Sequence, residues 1–292
     1  MLVLYKLRAL FFCVIIFISY NPVKAQELSV QISPGIMNYG GDLQAAVYTF
    51  QNANFSMAAN VIYRVKNFSL KGGVTYGKVK GDDLTNTGYK TRNLSFISNI
   101  ADASLCLQYD LFLMEDNRNF TPYVFAGAGV FHFNPYAIYN SQKVYLQPLG
   151  TEGQGLSIYP DKKIYSLTQP EVPFGIGFKY KVSDHVLIGL EFSTRYLFTD
   201  YLDDVSGRYP DENELFKQRG QLAVDLSFRA NEIDLSLPFP SGQQRGNPKQ
   251  NDNYYTSTFS FIYVFSKRSG YNAGSSNHNR KAQRIDCPKR VQ

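Results

Sequence analysis

The residues best equipped for chemistry in this 292-residue chain are a carboxylate group, Asp200, Asp203 and Asp204 beside Arg195, together with three histidines and the cysteines Cys106 and Cys287. Oxygen-rich loops can hold calcium, but a calcium loop alternates its ligands, turns on a Gly and closes on a Glu, and this spacing does none of these. The three carboxylates are therefore expected to fix a loop through ion pairs, hydrogen bonds or hydration, with Asp82 and Asp83 on the same side of the molecule. No metal site is assigned. His132, His185 and His278 are scattered, and none has the adjacent nucleophile and acid that a Ser-His-acid site requires. There is no Cys-x-x-Cys pair, phosphate-binding glycine loop or His-rich ligand pattern, so no catalytic residue and no cofactor is expected.

Cys287 stands in a basic C-terminal segment, 267–292, where Lys267, Arg268, Arg280, Lys281, Arg284, Lys289 and Arg290 are opposed by Asp286 alone, a balance of +6. Two readings of this tail stay open. One is a solvated extension with a flexible linker over 270–279. The other is a partner-binding peptide carried by Arg284, Cys287, Lys289 and Arg290 and steered toward an acidic surface. An unpaired thiol in an exported chain tends to find a partner, so an intermolecular disulfide at Cys287 and pairing with Cys106 both stay open, the second requiring the tail to enter the lumen. The tail lacks the interleaved aromatics of a nucleic-acid groove, so no nucleic-acid partner is expected.

The elements that must position these residues begin with an export leader. Lys6 and Arg8 precede an apolar run over 9–18, and Val23-Lys24-Ala25 supplies the small-residue end, so residues 1–25 read as a signal peptide cut before Gln26. Removing it takes three positive charges and lowers the net charge from +6 to +3, which leaves the rest of the mature chain, outside the tail, near −3. No later window holds the run of about eighteen apolar residues that a spanning helix needs.

From residue 26 to 265 the pattern is instead eight segments of alternating apolar and polar residues, joined by links that alternate long and short at all seven positions. Strands that run up and down through a bilayer put turns on one side and loops on the other. The expected fold is all-β: a transmembrane antiparallel up-and-down β-barrel of eight strands over 26–266, with long extracellular loops and a periplasmic tail over 267–292. An absence of Trp beside 22 Tyr and 22 Phe suits aromatic girdles at the two membrane interfaces.

In the expected register Ser29, Gln31, Ser33, Arg64, Lys71, Cys106, Gln108 and Asp110 face the lumen. Pro34 is taken to lie near the end of the first strand. The fifth strand, 121–133, is apolar or small on both faces and is left unoriented. The long loops are 134–169 and 199–252. Short helices are expected over 43–51 and 213–218, and the alternating stretch 221–228 is expected to lengthen the wall. With eight strands the interior is narrow enough for side chains to fill it.

The stretch Thr199-Asp200-Tyr201-Leu202-Asp203-Asp204-Val205-Ser206-Gly207, with Pro173-Phe174-Gly175-Ile176-Gly177 upstream and Gln244-Arg245-Gly246-Asn247 downstream, resembles the DUF6089 family of Bacteroidota outer-membrane barrels. Phe133-Asn134-Pro135 and Thr151-Glu152-Gly153-Gln154-Gly155 fit the same pattern. The resemblance implies a non-enzymatic component of the type IX secretion and gliding apparatus that tethers periplasmic secretion-ring proteins to the outer membrane, with outer-membrane lipid as its other partner. It also implies a disulfide to a ring component, which would fall at Cys287. Two other functions remain on the residues alone: a small porin, and a surface adhesion barrel acting through its long loops.

Overall fold

A computed structural model describes residues 26–44, 49–85, 91–114 and 118–265. Eight strands form the wall: β1 (Gln26–Gly40), β2 (Asn54–Val65), β3 (Phe68–Asp82), β4 (Ser95–Asp110), β5 (Phe120–His132), β8 (Thr168–Lys181), β9 (Val186–Leu197) and β10 (Asn253–Val264). Each pairs antiparallel with its neighbours, and β1 pairs with β10 through registers such as Val30↔Tyr263, so the sheet closes and has no free edge. The remaining two strands, β6 (Tyr136–Tyr139) and β7 (Gln142–Tyr145), form a hairpin inside the loop that follows β5.

The alternation in the sequence becomes the two faces of this wall. Leu28, Ile32, Val61, Leu70, Val74, Leu105 and Leu107 are exposed on the outside, while Ser29, Gln31, Ser33, Lys71, Cys106, Gln108 and Asp110 are buried in the lumen. Apolar side chains that shun water but lie on an outer surface require lipid as their solvent. The chain enters and leaves at the same end, where the Phe265 amide donates to the Leu28 carbonyl at 3.0 Å beside the β2–β3 turn. We call this the turn end and the opposite one the loop end.

Several expectations need correction. β5 is oriented by its large rings, with Tyr123, Phe125 and Phe131 buried inside and Val124 and Val130 exposed outside. Aromatics thus fill the lumen here, and the smaller residues face lipid. Gly177 makes room for one of them, since a Cβ at that position would lie 2.2 Å from the Tyr123 ring. Pro34 is not near a strand end but in the middle of β1, where the ladder to β10 lapses between Ile32↔Phe261 and Gly35↔Thr258. A residue without an N–H fits such a lapse.

The loops are folded rather than open. α1 (Glu212–Arg219) contains the expected helix 213–218, and the Asp211 side chain caps it by accepting from the Glu214 amide. Residues 221–228 do not lengthen the wall. Gln221–Ser227 is a helix, α2, that buries Ala223, Val224, Leu226 and Ser227. Over so few residues, apolar positions 222, 224 and 226 satisfy a strand period while 223, 226 and 227 satisfy a helical one, and packing decides between them. Of the helix expected over 43–51, Phe50–Asn52 forms a single 3-10 turn, and residues 45–48 lie outside the described residues. The leader 1–25 and all of 266–292 lie outside them too, including Arg284, Cys287, Lys289 and Arg290.

Candidate functional site

A barrel can act through its lumen, its loops or its wall, and the lumen is occupied by layers of buried side chains. Nearest the turn end, Asp110 receives Lys179 Nζ at 2.8 and 2.7 Å and Gln108 Nε2 at 2.8 Å, while Arg64 donates to Glu27 at 2.5 Å. Met114, Leu187, Ile262 and Val264 pack together as an apolar plug at the same level. Further in, Glu191 Oε2 accepts from Lys71 Nζ and from the Tyr123 hydroxyl, both at 2.7 Å, and Lys71 Nζ lies 3.8 Å from the centre of the Phe125 ring. Toward the loop end Arg195 sits 3.8 Å from Asp102, and the Tyr254 hydroxyl is 2.5 Å from Glu171 and 3.0 Å from Asp102.

Lys179 with Asp110, Lys71 with Glu191 and Arg64 with Glu27 are paired at hydrogen-bond distance, and Arg195 with Asp102 at 3.8 Å, as burial demands: a lone ion taken out of water costs several kcal/mol. Glu171 is held by the Tyr254 hydroxyl instead. Lys71, Lys179, Gln108 and Asp110 are each almost fully buried, so the charges cross-link strands instead of lining a water column.

A cap closes the loop end. Tyr39, the last large residue of β1, places its hydroxyl 2.5 Å from Asp203 and 3.0 Å from Asp252. Asp203 also accepts from the Val205 amide, and Asp252 from the Leu202 amide. Burial and the mutual repulsion of neighbouring carboxylates hold both acids well above the ordinary carboxylate range. Asp204, at φ 66°, accepts from Thr151 at 2.5 Å and from the Tyr165 hydroxyl at 2.7 Å. Arg245 clamps this loop: it donates to Glu152 at 3.1 Å and to the Asp204 carbonyl at 2.5 Å, and Glu152 in turn accepts from the Ser206 and Gly207 amides. Burial pushes Asp204 up to about 6 although Arg245 lies 3.9 Å away, so desolvation outweighs the ion pair. Asp200, also buried, is pushed up to about 8.

The acidic group expected from the sequence is thus brought together, but not around Arg195, which points down the lumen to Asp102. Its cation is Arg245, from the far end of the same loop. Asp83 lies at the loop end as expected and binds Arg92 at 2.7 and 2.8 Å. Sequence reasoning missed Glu152, Arg245, Asp252, Tyr39 and Arg92. A signal for the first two existed, because the stretches 151–155 and 244–247 that carry the family resemblance each contribute one member of the buried Glu152–Arg245 pair.

His132 Nδ1 lies 2.9 Å from the Thr168 hydroxyl on the outer wall, and His185 Nδ1 is 2.9 Å from the Val264 carbonyl, so both are tied to strand ends. Among the described residues no group of three or more His, Cys, Asp or Glu is arranged to hold a metal ion. Cys106 is a buried free thiol.

A model of the family described as "Domain of unknown function (DUF6089)" matches residues 8–226. No curated protein matches the chain. Among solved structures, the chain is similar to Neisserial surface protein A (12% identity, TM-score 0.41, covering 81% of this chain and 96% of that one). It is also similar to Ail, the attachment invasion locus protein of Yersinia pestis, solved with the heparin analogue sucrose octasulfate (9%, TM-score 0.40, covering 82% and 99%). A third is the N-terminal β-barrel domain of Pseudomonas aeruginosa OprF (11%, TM-score 0.34, covering 80% and 97%).

Proposed function

The chain belongs to the DUF6089 family, and from that premise we propose that it is a non-conducting, non-enzymatic outer-membrane barrel that anchors periplasmic secretion machinery, the type IX secretion and gliding apparatus being the one its resemblance implies. The observation that carries this reading is the closed lumen. Paired charges and an apolar plug fill the barrel at the turn end, and a folded cap covers the loop end. A lumen occupied in this way suits anchoring or binding better than passage of solutes.

The turn end is where both chain ends leave the wall. In bacterial barrels short turns face the periplasm and long loops face outward, so the basic segment 267–292 would hang in the periplasm. Its charge and its thiol, Cys287, suit an acidic periplasmic partner and an intermolecular disulfide.

Two measurements test this. In planar bilayers the full-length barrel is expected to give no stable conductance; large, stable steps would revive the porin reading. On a non-reducing gel of whole membranes a high-mass band is expected that Cys287→Ser abolishes, and a band that persists in the variant, or is never present, would sink the disulfide tether.

A second reading rests on the cap itself. Ile233, Leu235 and Leu237 are exposed there, Leu235 at 92% of its full area, and a clustered apolar edge on a polar loop suits contact with another surface. Deleting 233–237 would lower cell-surface binding while leaving secretion intact if this edge acts as an adhesion site.

A further inference from the structure

The outer wall carries a site that neither the filled lumen nor the tail explains. Between β2 and β5, near the loop end, a groove of about 460 Å³ is cut into the lipid-facing side, a size in the range of roughly 300–1,000 Å³ typical of small-molecule pockets. Its walls are Met57, Tyr76, Val130 and His132, and its floor is Ala101 and Ala103. The register places Tyr76 opposite Ala101 and Ala101 opposite His132, so bulky neighbours flank one sunken strand.

Two cations continue the same face of β3 beyond the groove. Lys78 follows Tyr76 and is exposed, and Lys80 comes next and is half-buried. Neither is in an ion pair among the described residues. Asp82, the following residue on that face, already accepts from the Leu84 amide at 2.7 Å. From Phe68, in the aromatic belt of the turn end, Lys78 is ten residues along β3. At about 3.4 Å per residue and a tilt of about 40°, that is a height of roughly 26 Å, against an apolar band of about 25 Å. Lys78 therefore sits where hydrocarbon gives way to headgroups. A lysine on a lipid-facing wall costs about 2–4 kcal/mol at mid-membrane and close to nothing at the interface. At that level its natural counter-ion is a lipid phosphate.

We propose that this groove holds an acyl chain of a phosphate-bearing lipid in the loop-end leaflet, with Lys78 and Lys80 on the phosphate. The groove is apolar as an acyl chain requires, and the cations stand at its headgroup end. The closed sheet offers no strand edge, so a partner chain cannot add to it by pairing. The site rests on the lipid-facing wall alone and is independent of the anchoring role.

The test is native mass spectrometry of the full-length barrel in detergent, titrated with lipid A and with its dephosphorylated form. Wild type is expected to retain the phosphorylated form at least ten-fold more strongly. Lys78→Glu with Lys80→Glu should erase that preference, whereas Lys66→Glu, at the turn end, should leave it. Ala103→Phe, which fills the groove without touching the charges, should weaken both forms. Heat-modifiable gel mobility identifies any variant that has not folded, and Ala101→Leu then replaces a failed Ala103→Phe. Equal retention of the two lipids by wild type, an unchanged preference in the double lysine variant, or a dimer peak that disappears with Ala103→Phe would overturn the proposal, the last by assigning the groove to a second copy of the chain.

Discussion

At the scale of single residues the cap is governed by carboxylates kept from ionising freely. Asp200 and Asp204 are raised from the ordinary 3.8 to about 8 and about 6, and Asp203 and Asp252 are also raised well above it, by burial first and then by neighbouring carboxylates, Asp42 on Asp203 and Asp203 on Asp252. A carboxyl whose folded pKa lies above its unfolded one binds protons more tightly when folded. Its contribution to stability is complete below pH 3.8 and is lost as pH climbs through the folded value. The cap should therefore be firmer in mild acid than in mild base. Hydrogen exchange at the Leu202, Val205 and Ser206 amides, corrected for intrinsic rates, should show protection falling between about pH 5 and about pH 8; protection that is flat or rises over that window would contradict this assignment. Arg245→Ala should be costlier still, because it strands Glu152 and Asp204 in the interior. Removing one partner of a buried pair costs about 3–5 kcal/mol, so limited proteolysis should cut within 198–252 while the barrel keeps its folded gel mobility.

At the scale of elements, the strands were legible and the cap was not, for one physical reason. A strand declares itself through alternation among neighbours, and its lumen face was read correctly at Lys71, Cys106, Gln108 and Asp110 because water and lipid sort residues with period two. The cap is held by pairs far apart in the chain, such as Tyr39 with Asp203 and Glu152 with Arg245, and no local period encodes those. β5 was unreadable because its lumen face is aromatic, so both faces looked apolar. That packing gives a prediction of its own. Gly177→Ala drives a methyl into the Tyr123 ring and should cost about 1–3 kcal/mol, as overpacked cores do. Adding Tyr123→Leu should recover part of that loss in urea titrations of the refolded barrel; no recovery would mean that Gly177 acts on the backbone and not through the ring.

At the scale of the whole molecule, the wall closes on itself and buried side chains occupy its lumen. The wall has no edge to pair, and its first and last strands begin and end on the side of the short turns. On the proposed anchoring role, the wall holds a position in the membrane and the segment beyond Phe265 carries the partner. The sequence made that segment conspicuous by charge, since 267–292 carries +6 while the rest of the mature chain is near −3. The most direct test is affinity purification from outer membranes of the full chain and of a chain lacking 267–292, both shown to be inserted by heat-modifiable mobility. Periplasmic secretion-ring proteins should accompany the full chain and be lost from the truncated one, whereas their equal recovery with both would contradict the tail as the tether.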